Sequence, residues 1–167
     1  VAAPNSRLES LPPGARVGTS SMRRRAQLLA RHPHLSMLDI RGNVPTRLAK
    51  LDRGEFDALV LARAGLTRLG LDGRIAEVID ADTVLPAPGQ GALAVEARED
   101  DERVRALLQA IDHAPTRLAT CAERALLARV EGGCQAPVGA LGTWSGDVLS
   151  LAAVVGLMTL GILIFGE

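Results

Sequence analysis

The sequence contains no tyrosine, two phenylalanines and one tryptophan. So few rings exclude a core built on aromatic packing and leave little on which nucleic-acid bases could stack. Lysine is almost missing as well: Lys50 is alone among 19 basic residues. The positive charge is therefore arginine, the residue suited to bidentate contacts with carboxylates and phosphates. Two cysteines, Cys121 and Cys134, cannot make a disulfide framework, and none of the three histidines stands at metal-ligand spacing from them. The first residues lack the basic start and apolar run of a signal peptide, and no methionine opens the chain. It reads as a piece of a longer cytoplasmic protein.

What is present is globular. Of 167 residues, 47% are hydrophobic and 23% charged, with a formal net charge of zero, so Leu, Val, Ile and Ala must build the core. The charge is uneven. Residues 16–53 hold nine basic side chains against Asp39 and Asp52, which leaves 9 − 2 = +7. Such a local excess points to an anionic ligand.

Residues 1–14, polar and rich in Pro and Gly, read as a linker. Strands are expected at 15–19, 35–40 and 57–62. Helices between and after them run from a Ser20 or Ser21 cap to Arg31, from an Asn43 cap with Pro45 in its first turn to Gly54, and on to Leu69 before Gly70. This β-α-β-α-β-α alternation implies a parallel sheet with helices on its faces. Ligands bind such sheets at the carboxyl ends of strands, beside helix N-termini. The prolines and glycines of 80–91 mark a hinge or crossover. A strand at 92–97 and helices at 100–111 and 115–130 follow, the second with Leu118, Ala122, Ala125, Leu126 and Arg129 near one face. Residues 137–142 and 148–155 form a hairpin through Trp144-Ser-Gly-Asp147. The stretch 148–166 has no charge over 19 residues, just the length of a membrane span. Ser150, Thr159, two internal glycines and the lack of a basic flank favour two buried strands broken at Gly156–Gly161.

Three constellations carry chemistry. Gly18-Thr-Ser-Ser-Met-Arg-Arg-Arg25 sets hydroxyls and free N–H groups at a helix N-terminus, which attracts anions. Arginines there oppose the helix dipole and make sense if an anion is bound; a solvated basic face or a nucleic-acid patch is the alternative. Asp39-Ile-Arg-Gly-Asn-Val-Pro-Thr-Arg47 repeats the layout, with Arg41 and Arg47 at the mouth, so the two would face one cleft. Glu131-Gly-Gly-Cys134 presents a sulfur on a glycine-flanked loop, where a positive cleft would favour thiolate. A buried, inert thiol is the commoner fate of a single cysteine, and it is the reading given to Cys121, mid-helix among alanines.

These motifs, with Thr46-Arg-Leu-Ala-Lys-Leu51, Phe56-Asp-Ala-Leu-Val-Leu-Ala62, Ala64-Gly-Leu-Thr-Arg-Leu-Gly-Leu71, Leu85-Pro-Ala-Pro-Gly-Gln-Gly-Ala92, Ala122-Glu-Arg-Ala125 and the run from Glu131 through Cys134 to Gly139, resemble in content and order the porphobilinogen deaminases (hydroxymethylbilane synthases). The resemblance covers about residues 10–156. It implies an α/β fold: a periplasmic-binding-protein-like lobe with a parallel-rich sheet, plus part of a small α+β C-terminal domain. Residues 1–80 would be the second domain, 81–113 the crossover and a remnant of the first, and 114–167 the cofactor-attachment domain, which departs from the family's pattern after Gly156.

By that resemblance the activity is the stepwise condensation of four porphobilinogen molecules into hydroxymethylbilane, with release of ammonia. The primer is a dipyrromethane cofactor joined by a thioether to Cys134. The resemblance gives Arg23, Arg24 and Arg47 to the cofactor's carboxylates, Arg41, Arg47 and Arg68 to the substrate's, hydroxyl contacts to Thr19 and Ser21, and a cofactor contact to Gln90. The family's catalytic aspartate sits in a Lys-Asp pair that would precede this chain, and no residue here matches it. A cytoplasmic enzyme, monomeric at full length, binding neither nucleic acid nor membrane, is implied. A non-enzymatic anion-binding lobe of solute-receptor type is the competing reading.

Overall fold

The computed structural model describes residues 7–130, 137–155 and 158–165, the last stretch by its backbone. Cys134 and the glycines before it lie outside the described residues.

The first half is built on a short parallel sheet. Strand β1 (Arg16–Gly18) lies between β2 (Ser36–Leu38) and β3 (Ala58–Leu59), in the order β2-β1-β3. The helices α1 (Met22–Arg31), α2 (Val44–Asp52) and α3 (Arg63–Arg68) follow the three strands in turn. Successive strand residues point to opposite faces, and the core divides accordingly. Val17 and Ala58 join Leu28 of α1 in one cluster, whereas Leu59 joins Leu48 and Leu51 of α2 and Leu66 of α3 in the other. Helices thus cover both faces, as the alternation predicts.

Caps start the first two helices where the sequence places them. Ser21 Oγ accepts from Arg24 N at 3.4 Å, and Asn43 Oδ1 accepts from Thr46 N at 2.9 Å with Pro45 in the first turn. Each cap satisfies a donor that the helix itself cannot, worth about 1 kcal/mol.

The second half holds α4 (Glu102–Gln109), α5 (Ala114–Arg129) and an antiparallel sheet of β4 (Val138–Ser145), β5 (Val148–Val155) and β6 (Met158–Phe165) in chain order. The expected hairpin turns at Ser145↔Val148. The uncharged tail is strand, as read, but its second strand starts at Met158 and passes through Gly161. No described helix is long and apolar enough to cross a membrane.

Glycines let β4 sit close to its neighbours. A β-carbon on Gly142 would lie 2.8 Å from the Ala119 carbonyl oxygen of α5, and one on Gly139 would lie 3.0 Å from Leu85 Cβ in the crossover. The crossover therefore runs along β4, and Ala140 N donates to Pro86 O at 2.9 Å.

Four expectations are corrected. Residues 92–97 form no strand, and Leu93 is 81% exposed; among the described residues no strand offers them backbone partners, and an isolated strand leaves its amides unpaired. The linker reading of 1–14 fails for Leu8 and Leu11, which are buried in the core beside Val17, because apolar side chains spaced by a short 3-10 turn (Leu8–Ser10) can both face the sheet. The inward face of α5 centres on Ala119 and Glu123; Leu118, Ala125 and Arg129 are exposed. Cys121 is likewise exposed and not buried, since a position two residues from each of those lies about 200° around the helix.

Candidate functional site

The carboxyl ends of β1 and β3 and the N-terminus of α1 meet the crossover loop at a cluster of guanidinium groups. Arg23 is 5% exposed. It donates through Nη1 to Leu85 O and through Nη2 to Gln90 Oε1. Arg24 donates through Nη1 to Val60 O at 2.9 Å and through Nη2 to Gln90 Oε1. Gln90 reaches both because the loop reverses around it: Gly89 and Gly91 have φ of 73° and 93°, values a β-carbon disfavours.

All these partners are neutral. Arg25, the third of the run, behaves otherwise: its Nη2 pairs with Asp39 Oδ1 at 3.1 Å and with Met37 O. Arg23 and Arg24 take part in no ion pair among the described residues. Burial, helped by the charge on Arg24, lowers the Arg23 guanidinium to about 10. Burial also lowers Arg24, with a further contribution from Arg47. The site thus holds two partly desolvated cations beside a third, and neither of the two forms an ion pair among the described residues.

Beside them opens a cavity of about 130 Å³. Arg23, Arg24, Arg63 and Gln90 form its polar side; Val60, Leu61, Ile79 and Val84 are among its apolar lining. Glu77 also lines it, with one carboxylate oxygen accepting from Leu8 N at 2.7 Å. This combination suits a flat apolar ring carrying carboxylates, the chemistry of a pyrrole with acidic side chains, so the residues present fit a dipyrromethane.

The other residues expected at the site are placed unevenly. Arg47 is half-buried, its Nε donates to Gly42 O at 2.7 Å, and its charge reaches Arg24. Thr19 is buried, its Oγ1 accepting from Ser21 N at 3.3 Å, while Ser21 caps α1. Both hydroxyls shape the loop that presents Arg23 and Arg24. Arg41 is exposed after β2. Arg68 is exposed at the end of α3 and does not line the cavity.

Two residues escaped the sequence reading. Arg63 starts α3 shortly after the third strand, and Arg23 and Arg41 likewise follow their strands within a few residues, so an arginine after each strand was the available signal. Glu123 is 5% exposed and bonds to backbone across two other segments. Its only mark in the sequence was a place inside Ala122-Glu-Arg-Ala125.

The fold and the site together define a class: an α/β lobe, covered by helices on both faces, whose strand ends suit a carboxylate-bearing apolar small molecule. Residues 1–106 match the family model "Porphobilinogen deaminase, dipyromethane cofactor binding domain", and residues 117–159 match "Porphobilinogen deaminase, C-terminal domain". The chain belongs to the porphobilinogen deaminase family. It is 57% identical over 156 residues to the porphobilinogen deaminase of Roseiflexus sp. (strain RS-1), covering 93% of this chain and 52% of that protein. It is 60% identical over 149 residues to that of Desulforudis audaxviator (strain MP104C), covering 89% and 48%. With the enzyme of Xanthomonas oryzae pv. oryzae (strain PXO99A) the identity is 54% over 160 residues, covering 96% and 53%. The chain spans about half the length of these relatives.

Proposed function

We propose that this chain forms the anion-binding cleft and the cofactor anchor of a cytoplasmic hydroxymethylbilane synthase. The reaction condenses four porphobilinogen molecules into the linear tetrapyrrole hydroxymethylbilane and releases ammonia at each addition. The observation that carries this reading is the pair Arg23 and Arg24: two buried or half-buried guanidinium groups that form no ion pair among the described residues, sharing Gln90 beside a cavity with an apolar wall. Such charges are unfavourable unless an anion meets them, and the acetate and propionate groups of successive pyrroles are anions at the right density.

The dipyrromethane, when bound through Cys134, supplies the free pyrrole carbon on which the chain grows. The residues of this chain bind and orient. Arg23 and Arg24 hold carboxylates at the floor of the cleft. Arg47 and Arg41 stand along the path toward β2, and Arg68 lies farther out on α3. Thr19 and Ser21 hold the β1–α1 turn open, and Gln90 keeps the two innermost guanidinium groups aimed at the ligand. No residue here matches the family's catalytic aspartate motif, so proton transfer is not assigned to this chain. Residues 1–80 serve as the binding lobe, 81–113 as the crossover and 114–167 as the attachment domain, in a protein that is monomeric at full length.

Intact-mass measurement tests the reading. In the full-length protein that carries this segment, incubation with porphobilinogen adds two pyrrole units to Cys134 with release of two ammonia molecules, and Cys134→Ser gains no such mass. Reversible binding of the same compound with no covalent gain would instead favour an anion receptor. Adduct formation in Cys134→Ser would overturn the anchor assignment.

A further inference from the structure

Glu123 is a buried carboxylate with no cationic partner among the described residues. Its two oxygens accept from two backbone amides that belong to different segments: Oε2 from Gly89 N at 2.5 Å and Oε1 from Gly142 N at 2.7 Å. Strand β4 lies at the edge of its sheet. The N–H groups of alternate residues on such a strand point outward to the same side and need acceptors. Ala140 N finds one in Pro86 O, at 2.9 Å. One position along that edge, at Gly142, the crossover loop has already turned away, and Glu123 fills the gap. The same carboxylate then reaches back to Gly89 and holds the loop where it turns.

The residue after Gly89 is Gln90, whose Oε1 sits between Arg23 and Arg24. Glycines of positive φ flank it on both sides, and within the loop its own backbone is held by one bond, Gln90 N donating to Ala87 O at 2.9 Å. The approach is built into the packing: Ala119, one helical turn before Glu123, lies against Gly142, where a β-carbon would meet the helix backbone at 2.8 Å.

We propose that Glu123 is a positioning residue: by clamping Gly89 to Gly142 it fixes Gln90 between the two guanidinium groups, and so couples the helix leading toward Cys134 to the anion cleft. The function of the clamp rests on the anion-cleft reading above; its geometry does not. Charge-assisted bonds to backbone N–H are the stronger kind, and a buried carboxylate holding two of them resists displacement. A glutamine at 123 offers one oxygen and turns an NH2 group against a second N–H. An aspartate keeps the charge but is too short to span both amides.

Hydrogen exchange and a glutarate titration, both followed by NMR on the isotope-labelled chain, provide the test. In Glu123→Gln the Gly89 amide exchanges roughly tenfold faster or more, and glutarate, the dicarboxylate probe, binds several-fold more weakly. Glu123→Asp falls between, and serves alone if the glutamine variant does not fold. Ala119→Gly, which loosens the same helix–strand contact without touching the carboxylate, shifts both readouts less than either Glu123 variant. Adding Gln90→Ala to Glu123→Gln costs no further affinity, because both act through one loop. Wild-type exchange at Gly89 in Glu123→Gln or Glu123→Asp overturns the clamp, and so does an Ala119→Gly response as large as theirs. A wild-type chain that does not bind glutarate refutes the anion cleft, while Gly89 exchange still decides the clamp.

Discussion

Arg23 and Arg24 converge on one neutral oxygen, Gln90 Oε1, each at 3.4 Å. Two adjacent cations sharing a single weak acceptor repel each other, and Arg23 carries the effect of its neighbour on top of its own burial. A carboxylate entering the cavity would relieve both costs at once. That is a physical reason for the cleft to favour anions.

Replacing Arg23 separates binding from folding. In Arg23→Leu the lost hydrogen bonds are offset by relief of a desolvated charge, and Leu85 O keeps a donor in Gln27 Nε2 at 3.3 Å. The stability of the unloaded chain is expected to stay within about 1 kcal/mol of wild type, whereas glutarate protection and adduct formation at Cys134 are lost. Urea denaturation with and without glutarate checks this. A loss of more than about 3 kcal/mol without ligand would mean that the guanidinium is part of the scaffold.

The Arg16–Asp57 pair ties β1 to the start of β3. Asp57 accepts from Arg16 Nη2 at 2.9 Å and from the Arg16 backbone N at 2.7 Å. Its carboxyl is held below the ordinary 3.8 first by the side-chain bond to Arg16, then by the backbone bond. A depressed acid contributes stability that is present above its unfolded value and fades as pH falls through the folded one. The melting temperatures of wild type and Asp57→Asn should therefore differ at neutral pH and converge below pH 3.8. A gap that persists in acid would mean the pair acts through packing alone.

Gly18 leaves room for the core on one face of the sheet. A β-carbon there would sit 2.6 Å from Leu59 Cδ2 and 2.9 Å from Phe56 Cδ1. Gly18→Ala should cost about 1–3 kcal/mol by overpacking, read from the denaturation midpoint. Because Thr19 and Ser21 follow directly, the same variant should also weaken glutarate binding.

Cys121 faces solvent from the outer side of α5. Brief treatment of the native chain with iodoacetamide, followed by peptide mapping, should label Cys121 to near completion with no change in folded stability. Protection until the chain is denatured would contradict the orientation of this helix.

Local chemistry made much of this legible in advance. Ser21 and Asn43 each precede a helix and carry the oxygen that caps it, Pro45 suits a first turn, and short apolar stretches between helices become strands of one sheet. These features act over a few residues, so they are written in consecutive positions. The strand expected at 92–97 failed for the opposite reason: a strand needs a neighbour, and alternation of side chains says nothing about whether one is there. The position of Cys121 depended on which face of α5 turns inward, and that is set by Gly142 on another strand.

The sequence by itself determined the order of the elements, the arginine-rich strand ends, the glycines around Gln90 and the family. Each follows from residue type and spacing along the chain. Only the tertiary structure decided which arginines form no ion pair among the described residues. Arg23, Arg24 and Arg25 are consecutive and alike, yet Arg25 meets Asp39 while the other two are turned toward Leu85, Val60 and Gln90. Successive helix positions diverge by about 100°, and what each side chain meets there comes from distant parts of the chain. Glu123 is the same case: an ordinary helix residue in sequence, it becomes a buried clamp because the fold brings Gly89 and Gly142 within reach of one carboxylate.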